Sequence, residues 1–201
     1  MTTYSAFTRR PFLQALCRGL LTLLGWRLEP NFPAYPQYML IFAHHTSNWD
    51  FPLGLLAAFA MGFWPQWVGK DSLFRWPLGG IMRWLGGVPV IRAARLNFVD
   101  QIVTLFQQQP NLIIAVAPEG TRRKTDHWKT GFYYIAQGAG VPIVTSYLDY
   151  KRKIGGIGPV FMPTGDIAAD LARIAEFYQG ITGRHPELHG NIQLRPSATK
   201  N

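Results

Sequence analysis

The strongest constraint on this chain is a set of short apolar runs that do not alternate with polar residues. Tyr38-Met39-Leu40-Ile41-Phe42-Ala43 and Leu112-Ile113-Ile114-Ala115-Val116 are the clearest. A strand with one wet face alternates apolar and polar side chains; a continuous run means that both faces are covered. Val88–Ile91, Val141–Tyr147 and Gly158–Met162 read as further strands, and Gln66–Gly69 as a short one. Helical patterns fall between them, over Asp50–Met61, Pro77–Leu85, Leu96–Gln108, Thr130–Gln137 and Ile167–Tyr178, with Asp166 placed to cap the last. Strands alternating with helices predict a single α/β domain, with a mostly parallel mixed sheet flanked by helices. The tail from Arg184 to Asn201 is polar and carries no pattern.

In 201 residues, one domain with a full core is expected. The hydrophobic fraction is 48% and the charged fraction only 15%. So few charges on a folded domain point to an apolar surface that meets something else. Twenty Lys and Arg against eleven Asp and Glu give a formal charge of +9, which favours an anionic partner. Few charges together with many Trp point to acidic lipid rather than to nucleic acid. The basic runs Arg122-Arg123-Lys124 and Lys151-Arg152-Lys153 have no evident stacking platforms beside them, so no nucleic-acid partner is expected. The single cysteine, Cys17, excludes an intrachain disulfide and a multi-cysteine metal site.

No apolar stretch reaches the roughly 20 residues of a spanning helix. Leu55–Trp64 is interrupted by Gly62, stopped by Pro65, and reads as buried. Pro11–Leu24 predicts an amphipathic helix, with Phe12, Leu16, Leu20, Leu23 and Leu24 at helical spacing and Arg9, Arg10 and Arg18 close by. One face can pack on the domain while another lies in a membrane interface, with Trp26 at headgroup level. Basic residues ahead of Leu20-Leu21-Thr22-Leu23-Leu24 are loosely signal-like. The following Gly25-Trp26-Arg27-Leu28 offers no cleavage site, so the segment is expected to be retained. Residues 1–30 are therefore read as a membrane-associating segment and 31–201 as the domain.

Two motifs carry chemistry. His45 precedes Asp50 by five positions, about 140° around a regular helix, so the pair cannot meet within one. They meet if His45 lies in a turn and Asp50 opens the helix, and Thr46-Ser47-Asn48 supplies that turn. Asp50 would then fix the imidazole tautomer and leave the second nitrogen to deprotonate a hydroxyl. His44 is an alternative base, although neighbouring strand-end residues point to opposite faces. Ser47 is a weaker candidate as a nucleophile. A metal site from His44, His45, Asp50 and His127 lacks any recognised ligand spacing, and none is expected. The second motif is Pro118-Glu119-Gly120-Thr121-Arg122. Arg122 suits a bidentate grip on phosphate, and Gly120 lets backbone amides approach an anion. A plain surface turn with an Arg–Glu ion pair is the alternative. His45, Arg92 and Glu119–Arg122 all follow predicted strands, at the edge where open α/β sheets collect ligands.

Four blocks occur in order: His45-Thr46-Ser47-Asn48-Trp49-Asp50, Gly87-Val88-Pro89-Val90-Ile91-Arg92, Pro118-Glu119-Gly120-Thr121-Arg122 and Val141-Pro142-Ile143-Val144. Together they make residues 38–150 resemble the glycerophospholipid acyltransferase family, which contains the bacterial 1-acylglycerol-3-phosphate acyltransferases. The resemblance implies that family's glycerol-3-phosphate acyltransferase-like fold. It also implies transfer of a fatty acyl group from acyl-CoA or acyl carrier protein to a lysophospholipid hydroxyl, with no further cofactor. In that reading His45 is the general base and Asp50 its orienter. Arg92, Glu119, Gly120, Thr121 and Arg122 hold the acceptor headgroup, and Lys70 stands near the thioester, where its charge stabilises the oxyanion. Leu56, Phe59, Phe63 and Trp64 would line either an acyl groove or the core, and core is the expectation for most. The first core strand begins near Tyr38, earlier than in members with long hydrophobic leaders, so attachment is expected to be peripheral, on the cytoplasmic face of the cytoplasmic membrane. A lyso-aminolipid or glycolipid acceptor, and a non-catalytic lipid-binding protein of the same fold, are the alternatives.

Overall fold

A computed structural model of the chain describes residues 10–90 and 95–195. In chain order the elements are α1 (Pro11–Leu23), β1 (Arg27–Glu29), β2 (Tyr38–Phe42), α2 (Asp50–Met61), β3 (Gln66–Lys70), α3 (Gly79–Trp84) and β4 (Gly87–Val90). They continue with α4 (Arg95–Gln108), β5 (Ile113–Val116), α5 (Gly131–Ala139), β6 (Ile143–Asp149), β7 (Ile154–Phe161) and α6 (Ile167–Tyr178). Short 3-10 turns cover Asp71–Phe74 and Pro186–Leu188.

The strands form one seven-stranded sheet in the order β1-β7-β6-β2-β5-β3-β4. Neighbours pair in parallel, except that β6 and β7 are antiparallel. Strands β2 to β6 therefore all point the same way and deliver their carboxyl ends to one edge. The expected α/β class and mixed sheet are found.

Burial explains the continuous apolar runs. In β2, Met39 and Ile41 join the core formed with Ile102, Phe106, Phe132, Ile135 and Ile174 of α4, α5 and α6. Tyr38 and Leu40 face the other way, onto Ala58 and Phe63 at the end of α2. With helices on both sides, neither face of the strand meets water. Phe63 is core, as expected; Leu56 and Phe59 are half-buried against the cores, and Trp64 stacks on Phe59. Asp166 caps α6, its carboxylate accepting from the Ala168 and Ala169 amides. Helix α1 buries Cys17 and Leu21 against α2, with Trp26 beside them.

Three features differ from the sequence reading. Strand β1 has only three residues, and its existence depends on pairing with β7, which no local pattern encodes. Strand β7 starts at Ile154, ahead of its expected start, because Gly155 and Gly156 disfavour a strand by propensity yet pair on both sides. The described part of the tail, up to Arg195, is tied to the domain: Asn191 N donates to Thr125 O and Trp128 N to Gln193 O, just after Thr182 O accepts from Tyr150 N.

Candidate active site

The chain leaves β2 at Phe42, passes the buried Ala43, and turns at His44 and His45 before Asp50 opens α2. This is the geometry that lets a His and an Asp five positions apart meet. His45 Nδ1 lies 3.2 Å from Asp50 Oδ2, and the same oxygen accepts the amides of Thr46 (2.9 Å) and Ser47 (2.8 Å). Asp50 Oδ1 accepts from the Tyr150 hydroxyl at 2.7 Å. The Asp50 side chain is 0% exposed and that of His45 18%. The acid is sealed and the imidazole reachable. Because the carboxylate only accepts, Nδ1 carries the proton and Nε2 keeps its lone pair. The first turn of α2 also favours negative charge at Asp50.

Tyr150 stays a donor: burial first, and then the bond to Asp50, push its pKa above the ordinary phenol value. It immediately follows β6, which runs parallel to β2. The rule that ligands gather at carboxyl ends therefore points to it as well, although no motif does.

Glu119 is buried near the start of the loop after β5. Its Oε2 accepts the His45 amide at 3.1 Å, and Oε1 lies 3.8 Å from His44 Nδ1. The carboxylate is thus turned inward, onto the backbone of the base, rather than out toward the surface. No Glu119–Arg122 ion pair forms among the described residues. Gly120 has φ +64°, a left-handed conformation, and an added Cβ would run into the Lys129 side chain. Thr121 Oγ1 accepts the Arg123 amide at 3.2 Å, and Arg122 is exposed at this turn. Lys70 is exposed at the carboxyl end of β3, beside β5 in the sheet. Arg92 lies outside the described residues.

His44 points the other way. It is buried, with Nε2 3.4 Å from Tyr178 O, and it stacks on His189 at 3.7 Å with 9° between the planes. The Ser47 hydroxyl accepts the Trp49 amide at 3.2 Å, which commits its oxygen to the turn. Among the described residues no group of three or more His, Cys, Asp or Glu could hold a metal ion.

The tail supplies contacts that no motif announces. His189 Nε2 accepts from Gly183 N at 3.0 Å, and His185 N donates to Thr46 Oγ1 at 3.1 Å. An added Cβ at Gly183 would lie 2.9 Å from His189 Nε2 and 3.1 Å from Thr46 Oγ1, so the chain packs tightly against the turn here. The Arg184 guanidinium stands 5.6 Å from the Trp49 ring and also acts on the Tyr150 hydroxyl. A fixed positive charge therefore lies beside the His45–Asp50–Tyr150 line.

A separate cleft of about 160 Å³, lined by Trp64, Arg83, Trp84 and Asn111 among others, opens where β3, β4 and β5 begin. The length of β3, about 13 Å, separates it from the catalytic edge.

An imidazole held by a buried acid, with a guanidinium nearby, can deprotonate a hydroxyl without a protein nucleophile. A family model described as Acyltransferase matches residues 29–149. Among solved structures the chain resembles the 1-acyl-sn-glycerophosphate (LPA) acyltransferase, PlsC, from Thermotoga maritima, with a TM-score of 0.56 and 19% sequence identity over 83% of this chain and 74% of that one. At that identity the likeness shows the fold. No curated protein matches significantly. With a family match over more than half its length and all four blocks in order, the chain belongs to the glycerophospholipid acyltransferase family.

Proposed function

We propose that the protein transfers a fatty acyl group from a thioester, acyl-CoA or acyl carrier protein, to the free hydroxyl of a lysophospholipid, with 1-acylglycerol-3-phosphate as the acceptor. His45 Nε2 takes the hydroxyl proton as the oxygen attacks the thioester carbonyl. The tetrahedral intermediate collapses, the C–S bond breaks, and the leaving thiolate takes the proton back from the imidazolium. Asp50, held by two backbone amides and Tyr150, stabilises the imidazolium. Lys70 is assigned to the oxyanion, a contribution of about 3–4 kcal/mol for a well-aimed donor. Arg92, Arg122 and the amides of Gly120 and Thr121 are assigned to the acceptor phosphate. Glu119 acts on the base side of the site, by holding the His45 amide. The protein works as a peripheral protein at the cytoplasmic face of the membrane. Among the described residues no helix is long and apolar enough to cross a bilayer.

The observation that carries this reading is the 3.2 Å His45–Asp50 contact at the carboxyl edge of the sheet of an acyltransferase-family chain. It is tested with His45→Ala, which is expected to keep its circular dichroism spectrum and lose thioester-dependent acylation of lysophosphatidic acid. Undiminished turnover would remove His45 as the base.

A further inference from the structure

The large apolar side chains that face outward are concentrated in one layer. On α1, Phe12 is 83% and Leu23 85% exposed, with Leu16, Leu20 and Leu24 beside them. A second group lies far away in sequence. Leu73 lies in the first 3-10 turn, Trp76 is 93% exposed, and Leu78, Ile81 and Trp84 follow onto α3. On the opposite layer, the described residues of α4, α5 and α6 expose only Tyr134 in this way.

Packing puts both groups on the same side of the sheet. Helix α1 rests on α2 through Cys17, Leu21, Leu53 and Ala57. Trp67 of β3 touches Phe51 of α2 at 4.6 Å and Phe74 of the 3-10 turn at 5.6 Å. The groups also join at the amino edge of the strands. Arg10 lies 4.9 Å over Trp64, whose ring is 5.5 Å from that of Trp84.

The charge on this layer is predominantly basic. From Arg10 to Gly87 the basic residues are Arg10, Arg18, Arg27, Lys70, Arg75 and Arg83. The acids are Glu29, Asp50 and Asp71. Asp50 is buried, Asp71 is paired with Arg75 at 3.0 Å, and Glu29 accepts from Tyr147. Exposed indoles and aliphatics among basic groups suit the headgroup boundary of an anionic bilayer, where apolar side chains enter the lipid and the cations stay with the headgroups.

We propose that the Leu73–Trp84 segment is a second membrane-seating element, which with α1 lays the α1–α2–α3 face on an anionic bilayer. The first residue of α2 is Asp50 and the neighbouring Trp49 is 58% exposed, so the catalytic turn sits at the rim of that face. The acceptor then reaches His45 sideways from the leaflet; this clause rests on the acyltransferase reading, whereas the seating does not.

The test uses the full chain with Cys17→Ser, an environment-sensitive dye on single cysteines replacing Trp76, Trp84 or Tyr134, and phosphatidylcholine vesicles containing phosphatidylglycerol and chain-brominated lipid. Dye at positions 76 and 84 is expected to shift to the blue and be quenched, and dye at 134 to do neither. The Trp76→Ala/Trp84→Ala double variant is expected to partition about tenfold less onto these vesicles, because it loses two interfacial indoles. His45→Ala should bind vesicles as the unaltered chain does, so loss of catalysis and loss of seating are read separately. Dye at 76 that stays in water on bound protein, or unchanged partitioning of the double variant, would overturn the proposal. So would a dye shift without lipid that tracks dimer formation, since a second copy would then cover the patch.

Discussion

His45 Nδ1 and Asp50 Oδ2 lie 3.2 Å apart across the junction of β2 and α2, and that oxygen also takes the Thr46 and Ser47 amides. One carboxylate thereby shapes the turn and orients the base. The two roles separate by substitution, because an amide oxygen can still accept hydrogen bonds but carries no charge to stabilise an imidazolium.

Asp50→Asn is therefore expected to fold and to lose kcat by about 10²- to 10⁴-fold, the range for general base catalysis. Steady-state kinetics beside a thermal melt measure this. An unaltered kcat in a folded variant would show that the acid serves the turn alone.

Tyr150→Phe removes the hydroxyl bonded to Asp50 Oδ1 and leaves a buried carboxylate oxygen short of a donor. The expected cost is about 1–3 kcal/mol of stability. kcat should fall less than in Asp50→Asn, since the charge remains. Denaturant titration and kinetics on the same preparation check both parts.

Arg122→Ala is expected to raise KM for a phosphorylated acceptor about tenfold or more and to leave kcat nearly unchanged, as for lost uniform binding. Arg184→Ala should do the same if the guanidinium over Trp49 reaches the same phosphate. Equal effects on phosphorylated and neutral acceptors would reject the phosphate assignment for the residue tested.

Burial, and then the neighbouring His44, hold the His189 imidazole below its ordinary pKa, against the opposing pull of Glu119 and Glu187. The folded state thus binds fewer protons than the unfolded one. Stability is unaffected above the unfolded value of about 6.5 and declines as pH falls through it toward the folded value. Melting temperatures from pH 7.5 down to 5 should fall less steeply in His189→Gln. Parallel curves would mean that other groups set the slope.

Much of the framework is legible in the residues themselves. The runs at Tyr38–Phe42 and Ile113–Val116 had to be doubly covered strands, because nothing in them tolerates a wet face. The spacing from His45 to Asp50 only made sense across a turn into a helix, and Asp166 announced the start of α6 by its capping chemistry. Local rules sufficed there, since period, turn residues and caps act over a few positions. Tertiary structure decided the rest. Only folding turned the Glu119 carboxylate inward to the His45 amide, 74 positions away, and brought Tyr150 onto Asp50, 100 positions away. Only folding laid a patternless tail against the catalytic turn, with His189 stacked on His44 and Arg184 over Trp49. These contacts join segments distant in the chain, and each partner alone is an ordinary polar residue. Their meaning comes from which strand ends the sheet order places side by side.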